Sequence, residues 1–433
     1  MIPTEKDPAT FEHLLQKLCS IFSEEEIELL GRKAGFTQRR SKIKASDFLK
    51  LTLFDLFCFD RPSLLQHASS IHKDNGKTVS RQAIDKRFGD KGILLLQHVL
   101  EQLLNRRLAP ERLPSDLYRH FRSVRILDST RLTLPSCFHS EPSPNSRGKA
   151  QITLQFEYDI LQKSIEYLSH ESAACSDRAF ADRQMYTVQK GDLLLRDLGY
   201  YSLDTYSRIE QQQAFYVSRI KPQVRIFGKT KDQYKAIRTT DIVNVLKRSG
   251  GLCFDQWVYI GEKQKHPVRM IAWLPVMEAP GKSRSKENLL NAPGRELNIV
   301  ISNVPESMMD AQQICDLYKV RWQIELIFKA WKRLLHLDDL GKMKVSRLKC
   351  YLISKLIWIV IGWDIAALAE PVLWQREKKL LSPYKATASL KASFVELKQF
   401  LFFERTRMAG WLRSALAAIS RYCRKEHRKS RPE

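Results

Sequence analysis

Cysteine, glycine and proline are all sparse in this chain of 433 residues, and its longest apolar run is broken by charge. The eight cysteines, at 19, 58, 137, 175, 253, 315, 350 and 423, include no Cys-x-x-Cys pair and no nearby histidine at zinc-ligand spacing, so they read as reduced thiols. Seventeen glycines and seventeen prolines exclude collagen-like, mucin-like and disordered chains. The most apolar stretch, Tyr351 to Ala369, is interrupted by Lys355 and Asp364, which leaves eight residues between charges where a membrane span needs about 20. It reads as a buried helix, and no membrane partner is expected. The start, Met1-Ile-Pro-Thr-Glu-Lys-Asp-Pro, has neither the basic head nor the apolar centre of a secretory signal, which points to the cytoplasm. Acid is also in deficit. Forty-eight acidic residues face 72 basic ones, a net charge of +24 and a pI near 9.7, and such an excess calls for a polyanionic partner.

What is present divides the chain. Residues 10 to 120 repeat apolar positions at helical spacing, as in Phe11-Glu-His-Leu-Leu-Gln-Lys-Leu, and form a helical amino-terminal domain, 1–120. Within it Ser80 is placed to cap a basic amphipathic helix through Arg81, Lys86 and Arg87, a pattern shared by groove-reading helices and by ordinary surface helices. From about residue 121 the period becomes two. Arg122-Ser-Val-Arg-Ile-Leu-Asp, ending at Asp128, then Gln151-Ile-Thr-Leu-Gln-Phe-Glu-Tyr and Lys163-Ser-Ile-Glu-Tyr-Leu-Ser-His predict a three-stranded antiparallel meander. A helix near Asp177 to Met185 leads to Asp192-Leu-Leu-Leu-Arg, a strand buried on both faces, giving the order β-β-β-α-β. After a helix at Leu203 to Gln212 and a strand at Ala214 to Ile220, residues 222–295 carry many short strand-like runs and a basic loop, Lys282-Ser-Arg-Ser-Lys, and read as a β-rich insertion. A strand from Glu296 and one long helix, Ala311 to Leu337, close a core spanning 121–340, and 341–433 is helical with a basic tail.

Two aspartates, Asp128 and Asp197, end predicted strands and precede turn-forming residues. Carboxylates at adjacent strand ends make an oxygen-lined site suited to magnesium, although an Asp at such a position also serves as a plain turn former. On the long helix, with Tyr318 at zero and about 100° per residue, Arg321, Glu325 and Lys332 fall between about 300° and 340°, in one stripe with Tyr318. Val320, Ile324, Ile327, Trp331 and Leu334 occupy roughly 160° to 240° and form the buried face. Charged stripes on helices are commonly solvated ion-pair faces, but Tyr-x2-Arg-x3-Glu-x6-Lys is a specific pattern.

With Ile126-Leu-Asp-Ser-Thr, Asp197-Leu-Gly-Tyr-Tyr-Ser-Leu and Leu317-Tyr-Lys-Val-Arg-Trp-Gln-Ile-Glu, the chain resembles the DDE transposases of bacterial insertion sequences, in particular the insertion-sequence-four family. The resemblance implies an α/β fold with a ribonuclease-H-like catalytic core and a β-rich insertion, flanked by helical amino- and carboxy-terminal domains. It implies that Asp128, Asp197 and Glu325 are catalytic acids holding two Mg2+ ions, with Mn2+ expected to substitute. Tyr318, Arg321 and Lys332, with Lys329 beside them, are implied contacts to DNA phosphate, and Trp273 and Trp257 are candidates to hold an unstacked base at a hairpin end. The expected partners are double-stranded DNA, both transposon ends and target, and a second copy of the chain in a synaptic dimer; the expected place is the bacterial nucleoid. Two alternatives stand beside cut-and-paste transposition: a two-metal nuclease that does not transpose, and a catalytically inactive DNA-binding regulator.

Overall fold

Alternating apolar residues from Ser123 onward build, in a computed structural model, the sheet that carries both candidate aspartates. The structure describes residues 8–38, 41–58, 62–105, 119–133, 151–162, 164–172, 175–220, 224–231, 233–249, 253–263, 265–274, 297–336, 343–377, 379–400 and 405–425. The predicted loop at 282–286, Lys163 and the tail beyond 425 lie outside them. Strands β1 (Ser123–Thr133), β2 (Gln151–Asp159) and β3 (Ser164–Ser172) form the antiparallel meander. A crossover through α7 (Asp177–Gln184) lays β4 (Asp192–Arg196) parallel to β1, and α8 (Leu203–Gln211) lays β5 (Phe215–Arg219) parallel to β4. All five residues of β4 are buried, as a short central strand between two covered faces requires.

The predicted insertion does not stand apart from this sheet. Strands β6 (Ile226–Thr230), β7 (Gln233–Ile237), β8 (Phe254–Ile260), β9 (His266–Trp273) and β10 (Asn298–Ser302) continue it, in the order β3-β2-β1-β4-β5-β10-β9-β8-β6-β7. One face is apolar through Ile126, Leu195, Val217, Val300 and Ile271, and packs on helices that follow β10. The reverse face is covered by α8 and by α9 (Thr239–Ser249), through Ile209, Ile242 and Leu246 against Tyr216, Val258 and Met270.

The helical ends pack together. Helices α1 (Pro8–Ile21), α2 (Glu24–Lys33), α3 (Ala45–Cys58), α4 (Leu64–Asn75), α5 (Arg81–Asp85) and α6 (Asp90–Asn105) precede the sheet. After it come α10 (Ala311–Val320), α11 (Trp322–Leu335), α12 (Val345–Glu377), α13 (Pro383–Phe400) and α14 (Arg405–Tyr422). Helix α12 touches α1, α3, α6 and α14. It is long and apolar enough to cross a membrane, yet most of its apolar stretch is buried in protein, and the two charges that interrupt it are used: Lys355 donates to the His336 carbonyl at 2.7 Å and Asp364 takes Lys17 at 2.7 Å. Ser80 does cap α5, accepting from the Ala83 amide at 3.2 Å, but this helix lasts only five residues instead of running on through Arg87. Arg87 turns away to donate to the Phe36 carbonyl at 2.7 Å, and Asp85 is claimed by Lys344 and Arg347.

Candidate active site

Strands β1 and β4 are parallel neighbours with Ile126 opposite Leu195, so two residues further on Asp128 and Asp197 reach the same level on the same face. Strand β1 runs five residues past Asp128, to Thr133, where the sequence suggested an end; pairing with β2 through Phe156 to Gln151 keeps it extended. Asp197 does end its strand, and a single 3-10 turn, Leu198–Tyr200, follows. Gly199 lets that turn press on α7, since a Cβ there would stand 2.9 Å from Asp177 Oδ2. Glu325 comes from the first turn of α11.

The predicted single helix is broken at Arg321, which separates α10 from α11 while keeping helical angles of φ −51° and ψ −36°. Its amide donates to the Tyr318 carbonyl at 3.2 Å, and the Ile324 amide donates to the Arg321 carbonyl at 3.1 Å. This local i to i+3 tightening is the kind that marks hinges and functional sites.

The stripe of Tyr318 and Arg321 is not a solvated face. The Arg321 side chain is only 3% exposed, and its guanidinium lies 3.0 Å from Asp128 Oδ2, 3.7 Å from Asp197 Oδ1 and 3.6 Å from Glu325 Oε1. Buried Tyr318 donates to Asp197 Oδ1 at 3.4 Å. Asp128 also accepts the Ser129 amide at 2.8 Å. Burial pushes the Asp128 carboxyl up to about 6; Arg321 and the Ser129 amide oppose that rise, while Asp197 and Glu325 add to it. Burial works against the charge of Arg321, but Tyr318, Asp197 and Asp128 raise its pKa regardless.

Lys332 sits lower on the same stripe and donates to the Arg131 carbonyl at 2.8 Å, while Lys329 is exposed on α11. The two tryptophans are not at the acids. Trp273 ends β9, half-buried against the core, and Trp257 projects from β8 with 55% exposure.

Among the described residues no three acid, histidine or cysteine side chains stand close enough to hold a metal ion by themselves. The donor set nevertheless suits a hard divalent cation: three carboxylates from three separate segments converge on one positive charge, and Arg321 supplies that charge here.

Sequence reasoning missed what lies behind the acids. Glu157 on β2 is fully buried between Arg125 and Arg196, the residue before Asp197, and Arg196 Nη1 approaches it to 3.2 Å. Gln155 accepts from the Tyr200 hydroxyl at 2.9 Å and donates to Asp177 at 3.0 Å. The signal was the row Thr153, Gln155, Glu157, which reads as the wet side of a strand and is in fact a buried polar layer.

Residues 119–361 match the family model described as a transposase DDE domain. Similar proteins are the transposase for insertion sequence element IS231B of Bacillus thuringiensis subsp. berliner, 29% identical over 96% of this chain and 92% of that relative, and the IS231F transposase of B. thuringiensis subsp. israelensis, 28% identical over 87% and 84%. The IS1151 transposase of Clostridium perfringens is 25% identical over 95% and 92%. Among solved structures, the piggyBac transposase synaptic complex with hairpin DNA aligns with a TM-score of 0.43 at 11% identity, over 94% of this chain and 85% of that one.

Proposed function

Because this chain belongs to the DDE transposase family, an enzyme family that cleaves DNA and transfers its strands with divalent metal, we propose that Asp128, Asp197 and Glu325 are its catalytic acids. The observation that carries the assignment is their convergence, from β1, β4 and α11, on the single guanidinium of Arg321. The three carboxylates would hold two magnesium ions. Metal bound there would supply Lewis acidity for activating water or a 3′-hydroxyl and for stabilising the leaving oxygen. No protein nucleophile is needed, so the remaining side chains bind and orient DNA.

Lys329 and Lys332 lie down one side of α11 from Glu325, where they can reach phosphates beside the cleaved bond. Tyr318 and Arg321 complete that grip. Arg321 can take a phosphate only by giving up a carboxylate partner, so its hold on DNA is coupled to the charge of the triad. The order β3-β2-β1-β4-β5 supports a ribonuclease-H-like core at 121–340, with the insertion at 222–295 carried on its far edge. The four-residue signature supports membership of the insertion-sequence-four branch, and with it hairpin ends, binding of terminal inverted repeats by helices in 1–120, a synaptic homodimer using 341–433, and work at the nucleoid. Trp273 or Trp257 would hold the unstacked base.

The test is strand cleavage of a DNA fragment bearing the flanks of the protein's own gene, with magnesium, resolved on denaturing gels. Cuts at both flanks that vanish in Glu325→Gln are expected. Equal cutting by the variant and the wild type would sink the acid assignment.

A further inference from the structure

The face of the sheet that carries the acids does not stop at the core. Residues paired across neighbouring strands share a face. Leu195 pairs with Val217, Val217 with Ser302, Ser302 with Arg269 and Arg269 with Trp257. Trp257 therefore stands on the same face as Leu195, and as Asp197 two residues beyond it. Four strand spacings separate β4 from β8, about 19 Å across the sheet. The same face continues outward, because Tyr259 is opposite Phe227, and Lys229 opposite Tyr234.

At this outer end the face changes character. Trp257 is 55% and Tyr234 42% exposed, rings left in water although Ile226, Val258 and Ile260 on the reverse side are buried with Ile242 and Leu246 of α9. Cations lie among them. Lys265 Nζ stands 3.4 Å above the centre of the Phe227 ring and 5.9 Å from that of Tyr234, and Lys229 Nζ is also 5.9 Å from Tyr234. Tyr234 packs edge-on against Tyr259, with ring centres 5.0 Å apart, which holds its plane upright. From Val224 to Arg238 the chain has five basic residues and one acid. Phosphates alone would need only the charge. Rings interleaved with charge are what a strand with unstacked bases needs, since any base can lie on an aromatic face while the lysines follow its backbone.

We propose that the β6–β7–β8 end of the sheet is a binding platform for unpaired DNA, with Trp257 and Tyr234 stacking bases and Lys229 and Lys265 holding phosphates. It extends the proposed site from the cleaved bond to the strand that leaves it, and so rests on the transposase reading. The assignment differs from a single base pocket, since it predicts affinity for several consecutive nucleotides of any sequence.

The probe is a fluorescein-labelled oligothymidylate about a dozen nucleotides long, titrated by anisotropy without metal beside a duplex bearing the flanks of the gene. Trp257→Ala combined with Tyr234→Ala is expected to weaken oligothymidylate binding at least about tenfold, and duplex binding far less. Trp257→Phe should restore most of the loss, and an unshifted melting temperature shows that the exposed positions carry no fold. Lys229→Gln with Lys265→Gln should weaken both ligands and flatten the salt dependence. Unchanged oligothymidylate affinity in the aromatic variant overturns the proposal, and so does an equal loss for duplex. If the wild type still cuts the flanks with magnesium, that failure is the platform's alone; a wild type that neither binds nor cuts DNA overturns the acid assignment with it.

Discussion

Two clusters of carboxylate and guanidinium share strands β1 and β4 but lie on opposite faces of the sheet, and they are built to opposite ends. On the reverse face Glu157 and Asp192 meet Arg122, Arg125 and Arg196, so every acid has at least one cation. Burial would raise the Glu157 carboxyl, yet Arg125 and Arg196 hold it below its usual range. On the front face three acids share one Arg321, and Asp128 is left with its carboxyl pushed up to about 6. The first cluster is balanced and ties β1, β2 and β4 together beneath the acids. The second carries unmet negative charge, which a fold does not need and a cation-dependent reaction does.

The sharpest break of the comparison is to neutralise one acid on the front. Asp128→Asn or Glu325→Gln should lower the rate of flank cleavage by about a thousandfold or more while the folded state survives, measured by single-turnover gels beside thermal melting. Neutralising the reverse cluster should do the opposite. Glu157→Gln leaves Arg125 and Arg196 buried without their shared counter-ion and should destabilise the fold by about 3–5 kcal/mol in urea unfolding, with cleavage per folded molecule preserved.

Acidity separates the clusters by sign. Between about pH 4 and 6 the folded protein keeps a proton on Asp128 that the unfolded chain has lost, so this group makes stability fall as pH rises through that window, by about 3 kcal/mol at most. Glu157, with its lowered folded pKa, contributes stability that is present above its usual range and lost as the solution is acidified through the folded value. Urea unfolding across pH should therefore show a shallower decline toward neutrality in Asp128→Asn than in wild type, and parallel curves would contradict the upward shift that burial gives the Asp128 carboxyl. The smallest effect belongs to exposed Lys329. Its replacement by Ala should weaken end binding only a few-fold and reduce the salt slope by about one.

The front cluster was legible in the sequence because each acid sits in a short local pattern: a strand running into Asp128, another ending at Asp197, and Glu325 seven residues after Tyr318. The meander, the β4 crossover and the strands within 222–295 were legible for the same reason, since period-two runs and their breaks are local. What failed was everything set by a distant partner. A helical wheel assumes unbroken geometry and cannot see that Arg321 interrupts the helix and turns its charge inward. The alternation of Gln155 and Glu157 looks like solvent exposure until Arg125, Arg196, Asp177 and Tyr200 are brought around it. The cap at Ser80 was readable, but the early end of α5 depends on Phe36, Lys344 and Arg347. The joining of the two helical ends rests on pairs such as Lys17 with Asp364, 347 positions apart, which no window of periodicity spans.

That last pair carries a consequence for how the protein is made. Helices α1, α3 and α6 complete their packing only against α12 and the helices after it, so on a ribosome adding about 5–20 residues each second the first hundred residues wait roughly ten to fifty seconds for the first of these partners to emerge. During that interval their apolar faces are open to chaperones and proteases. The clasp between the ends thus ties the final packing of the first helices to the synthesis of the last ones.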